Sequence, residues 1–150
     1  DTDGATPLSW AAGQGRTSVS RMLIENGAEV LTADKEGRTP LHRAAEGAHK
    51  GVVALLLENK AEVNAADAEG RTPLHLVAKL TPKERPEMED VIRLLIARGA
   101  NVNATDKHGN TPVQLAISPT VRKLLRDNGA VGPTKKESNA IRQMERHVGP

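Results

Sequence analysis

The 150-residue chain has no Cys, no Phe and no Tyr, and Trp10 is its only Trp. Without Cys there is neither a disulfide framework nor a thiolate metal site, and an intracellular setting, cytoplasmic or nuclear, is the expectation. Without Phe or Tyr, a core must be assembled from Leu, Val, Ile and Ala. No apolar run approaches the roughly 18 residues that a membrane-spanning helix needs. The N-terminus, Asp1-Thr2-Asp3, is polar, so neither a membrane span nor an attached signal peptide is expected. A net charge of +2 is too small to point to a nucleic acid. With 37% hydrophobic and 27% charged residues, the composition is that of a globular chain rather than a disordered one.

What is present is repetition. Thr6-Pro7-Leu8, Thr39-Pro40-Leu41 and Thr72-Pro73-Leu74 stand 33 residues apart, and Thr111-Pro112-Val113 is a weaker fourth copy. A fixed period of this length means an array of stacked units. Each unit opens with a polar stretch carrying Gly at its fourth position (Gly4, Gly37, Gly70, Gly109), which marks a turn. Thr then serves as N-cap and Pro as the first helical residue, where its missing N–H costs nothing. Leu8, Ala11 and Ala12 share one face of the first helix, as do Leu41, Ala44 and Ala45, and Leu74, Val77 and Ala78. A second helix carries Val19, Met22 and Leu23, repeated as Val52, Leu55 and Leu56 and as Val91, Leu94 and Leu95. Gly27 and Gly99 fall where a left-handed residue would end it.

The Asp, Gly, Thr-Pro-Leu-His, Ala-Ala, Leu-Leu, Gly-Ala and Val-Asn-Ala elements, at these offsets, resemble the ankyrin repeat. The resemblance covers residues 1 to about 130. It implies an all-α solenoid of helix-turn-helix units with β-hairpin-like finger loops, in repeats of about 1–33, 34–66, 67–105 and 106–130. Fingers and first helices would line a concave groove. Residues 131–150 are expected to form a linker and a short C-terminal helix in which Ser138 is the N-cap and Ile141, Met144 and Val148 form a stripe.

Four departures are specific to this chain. Lys60 stands where Gly27 and Gly99 stand, so either a non-Gly residue takes positive φ there or the helix ends differently. Six extra residues separate the helices of unit three, where Thr81-Pro82-Lys83-Glu84 predicts one short turn, with the second helix running from about Glu87 to Arg98. Unit four is three residues short, and Arg122 and Arg126 replace core aliphatics as the polar outer face of a terminal repeat. Unit one shows no such adaptation and reads like an internal repeat.

Signals for catalysis and for cofactors are weak. His42 and His75 share one repeat position, and by the resemblance each bonds the neighbouring turn backbone. His49, His108 and His147 have no partner at metal-ligand spacing, so no metal and no cofactor are expected. Gly13-Gln14-Gly15-Arg16-Thr17-Ser18 lacks the ending of a phosphate loop. The chain is therefore expected not to be an enzyme but a protein-binding module, monomeric as an isolated domain. The second expectation is a regulatory segment that engages another part of its own chain.

By the resemblance, the groove residues are Trp10, Gln14, Lys35, Glu36, Arg38, Arg43, Glu46, Arg71, Leu76, Lys79, His108 and Asn110. Trp10 and Arg43 should face each other on adjacent first helices, and Trp and Arg are the commonest hot-spot side chains. Asn64, preceded by Glu62-Val63 and by Leu56 eight residues earlier, resembles the setting in which ankyrin asparagines are hydroxylated. It is a candidate for that modification.

Overall fold

The computed structural model describes residues 4–132, 139–140 and 142–144. Four helix pairs follow one another: α1 (Pro7–Gly13) with α2 (Thr17–Glu25), α3 (Pro40–Glu46) with α4 (Lys50–Glu58), α5 (Pro73–Ala78) with α6 (Met88–Ala97), and α7 (Pro112–Leu115) with α8 (Pro119–Asp127). Among the described residues there is no strand, and no helix is long and apolar enough to cross a membrane. First helices form one layer, α1 on α3, α3 on α5 and α5 on α7, while α2 packs on α4 and α4 on α6 in a second. The core is the seam between the layers. Leu8, Leu41, Leu74 and Val113 make one buried ladder, and Leu56, Leu95 and Leu125 make another. Fully buried Ala12, Ala45 and Ala78 let adjacent first helices approach closely.

Local chemistry sets the element boundaries. Thr6, Thr39 and Thr72 are extended N-caps whose hydroxyls accept the N–H of Ser9, His42 and His75. All four second helices end in the same 6→1 bond, Ala28, Ala61, Ala100 and Ala130 donating to Leu23, Leu56, Leu95 and Leu125. That bond requires a left-handed residue just before it, supplied by Gly27, Gly99 and Gly129, and in unit two by Lys60 at φ 68°. Of the two outcomes expected there, the strained non-Gly residue is the one adopted.

The insertion forms the predicted turn, Glu84 and Arg85 donating to the Thr81 carbonyl at 3.0 Å. The second helix then starts at Met88, one residue later than expected, and ends at Ala97. In unit four the shortening leaves α7 a single turn. Arg122 and Arg126 replace buried Val53 and Leu57 on the outer side, Arg122 half-buried and Arg126 exposed. Of the expected C-terminal stripe, Met144 is exposed, and Ser138, Ile141 and Val148 lie outside the described residues.

Polar couplers fasten each unit to the next, and they are unevenly distributed. Asp34, Asp67 and Asp106 each accept the N–H groups three and five places into their own finger. Arg38 reaches across to Asp67 at 3.5 Å and Arg71 to Asp106 at 3.8 Å. His42 Nε2 donates to the Arg71 carbonyl and His75 Nε2 to the Asn110 carbonyl, both at 2.8 Å. Asn64 donates to the Gly99 carbonyl and accepts from Asn101 N–H, and Asn103 does the same with Gly129 and Val131. Unit one has Ala5, Ser9 and Leu31 at the arginine, histidine and asparagine positions. The Ser9 hydroxyl is buried without a hydrogen-bond partner, and Leu31 is exposed. Among the described residues, the coupler found instead is His49, whose Nε2 donates to the Gly13 carbonyl at 3.0 Å. Its ring lies so close to Gly15 and Gly47 that a Cβ on either would collide with it.

Three outcomes follow from this construction. Replacing Lys60 with Gly should remove the left-handed penalty, stabilising the fold by about 1 kcal/mol and raising Tm by about 3 °C in calorimetry. Burial holds the His42 and His75 pKa below the usual 6.5, and each Nδ1 already accepts the N–H of Thr39 or Thr72. The unfolded chain then binds more protons than the folded one, so stability should fall as pH drops below about 6.5. Burial would raise the Asp34 carboxyl, but the Arg43 guanidinium and two finger N–H groups outweigh it and hold it below 3.8, so carboxylates add their own loss only at lower pH. A His42→Gln, His75→Gln variant, copying Gln114 of unit four, should flatten the Tm profile between about pH 5 and 7. Finally, amides of α1 and α2 should exchange with deuterium faster than those of α3 to α6, and Ser9→His should slow them about fivefold by adding one net hydrogen bond.

Candidate functional site

A recess of about 410 Å³ lies beside the first helices where units one and two meet. Unit one supplies Ala5, Ser9, Trp10, Gly13 and Gln14, unit two Arg43, Glu46 and Gly47, and the insertion of unit three Arg85. Trp10 stands on the outer face of α1 and is 56% exposed, held by a helix whose other face is the fully buried Ala11 and Ala12. Gly47, kept side-chain-free by the His49 ring, leaves the floor open. A second recess of about 530 Å³, lined by Glu46, Leu80, Glu84 and Arg85, shares two walls with the first. Together they form a trough from Trp10 to Leu80.

Charges along the trough are mostly committed to partners. Because Ala5 cannot offer the cation that Arg38 and Arg71 offer in later units, Arg43 turns to the Asp34 carboxylate within its own unit. Glu46 is bonded to Arg38 at 2.8 Å. The Arg16 guanidinium lies over the Trp10 ring at 5.4 Å, a cation–π contact that keeps a positive charge at the mouth.

The recess gathers Trp10, Gln14, Arg43 and Glu46 from the predicted groove set. The others lie elsewhere. Arg38 has only 16% of its side chain exposed and is shared among Glu36 at 3.6 Å, Glu46 and Asp67, while Arg71 leans on Asp106, so this basic ladder joins units. Lys35 is exposed on a finger and Lys79 is half-buried at the end of α5. His108 is exposed 3.6 Å from Glu69, an ion pair when protonated, and Asn110 is bound through its backbone to Asp106 and His75. Asn64 sits at the opposite end of the unit, both ends of its amide engaged with the next hairpin.

Leu76 is a correction. Expected at the groove surface, it is 0% exposed. In units one and two its repeat position holds Trp10 and Arg43, which line the recess together with Arg85. The insertion therefore lies on that side of the array, and an aliphatic side chain beneath it is better buried than wetted. Besides the small Ala5, Gly13 and Gly47, the lining residues missing from the predicted set are Ser9 and Arg85. Ser9 occupies the histidine position, which repeat geometry assigns to the interior, and Arg85 lies in an insertion for which the repeat frame has no register.

The family model described as ankyrin repeats (3 copies) matches residues 1–67 and residues 60–136. No curated protein matches the chain. The two matched stretches overlap and span nearly the whole sequence, and the paired helices, Thr-Pro caps and histidine couplers described above fall inside them, so the chain belongs to the ankyrin-repeat family.

Proposed function

We propose that this chain is a non-catalytic module that recognises another protein through its concave groove, with the Trp10 recess as the anchoring point. Ankyrin repeats are in general protein–protein interaction modules. The observation that carries the proposal is the exposed Trp10, a large apolar surface beside a cavity. Recognition would work by preorganisation. The unit-two wall is held by its own ion pairs, Arg43 by Asp34 and Glu46 by Arg38, so little ordering of these side chains remains to oppose binding.

Trp10→Ala is the cleanest test, because Arg43→Ala would also strand the buried Asp34 carboxylate. The intact chain and the variant, matched for Tm, are used side by side for affinity capture, and each retained protein is then titrated. True groove partners should bind the variant about 30-fold more weakly, a loss of about 2 kcal/mol. An unchanged retained set would refute the groove as the binding site.

A further inference from the structure

We infer, building on the groove proposal above, that the recess selects an extended peptide segment in which an aromatic or large aliphatic side chain is flanked by Asp or Glu. The apolar part of this specificity comes from Trp10 and from the volume beside it, about 410 Å³, which suits one large side chain. Its acidic part comes from the charges left over once partners are assigned. Arg43 is neutralised by Asp34 and Glu46 by Arg38. Among the described residues, Arg85 has no side-chain hydrogen bond or ion pair, and Arg16 meets only the Trp10 ring. Two cations therefore stand at the Trp10 recess, Arg85 in its lining and Arg16 over the Trp10 ring, while its one lining carboxylate, Glu46, is already paired. The neighbouring recess differs, since Glu84 lines it and is likewise without an ion pair among the described residues. Acid preference thus belongs to the Trp10 end of the trough and not to the Leu80 end. An extended segment also fits the shape, because the two recesses run on from each other through Glu46 and Arg85.

The recess straddles units one and two, the junction with the sparsest polar coupling among the described residues. A bound segment touching both would hold unit one in place, so binding and the protection of α1 and α2 are linked.

A phage-displayed library of short random peptides is panned on the intact chain, and the strongest selected peptide is synthesised. The peptide carries a fluorescein label whose anisotropy reports binding to the parent chain and to the variants alike, including the one that lacks the sole Trp. The expected selection carries Asp or Glu beside an aromatic or aliphatic residue. Arg85→Glu, on an exposed turn, should weaken the peptide about tenfold with Tm unchanged, as a reversed exposed charge at a binding rim does. Raising NaCl from about 50 to about 500 mM should weaken it as well, and saturating peptide should slow deuterium uptake in α1 and α2. Selected peptides that lose binding in Trp10→Ala but show no acidic preference and ignore Arg85→Glu would overturn this inference while leaving groove recognition standing. Peptides that bind Trp10→Ala as well as the parent chain would overturn both.

Discussion

Helices of seven and nine residues do not persist alone in water, since isolated helices shorter than about 12 residues are marginal. Each pair here exists because the next one covers it. Stacking supplies the apolar burial, through the Leu8, Leu41, Leu74 and Val113 ladder and the alanine faces that bring first helices together. Burial is non-directional, however, and would tolerate sliding. Register is set by the couplers: an imidazole donating to a carbonyl of the following unit, an arginine reaching the following aspartate, an asparagine bridging two hairpins. Because the histidine couplers act as neutral rings in buried settings, the joints between units are also where acid would first be felt.

The joints are not equal. Those following units two and three carry the full set of couplers, while the one following unit one has a different histidine bond and an unsatisfied serine hydroxyl. The Trp10 recess lies across that joint. A ligand seated across that joint, the most sparsely coupled among the described residues, would have its affinity linked to the docking of a structural unit. The same economy appears in Arg43, which fills at Asp34 the place that Ala5 leaves empty and so surrenders its charge to the fold.

The architecture was legible because each element carries its own local signal: Thr-Pro for helix starts, Gly for ends, alanine pairs for close packing. Even the irregular pieces, the Thr81 turn and the arginine-faced last helix, followed from capping and from apolar offsets. The site was less legible for a physical reason. Repeat position says which way a side chain leaves its own helix, but not what lies above it or what charge stands opposite. Leu76 is buried at a position that holds surface residues in units one and two, and Arg38 and Arg71 read as a surface ladder although each faces an aspartate across the joint. Arg85 had no repeat position from which to infer its direction.

The insertion has one more effect. An array of equal units presents the same surface over and over, so an extended ligand spanning two units finds near-equivalent footing one unit along and loses its alignment. Trp10 and Arg85 each occur once, one on the first unit and the other on the irregular turn of the third, and they meet in a single recess. That pairing breaks the translational symmetry of the groove. A chain built by duplication thereby acquires a fixed origin from which every other position along its surface can be counted.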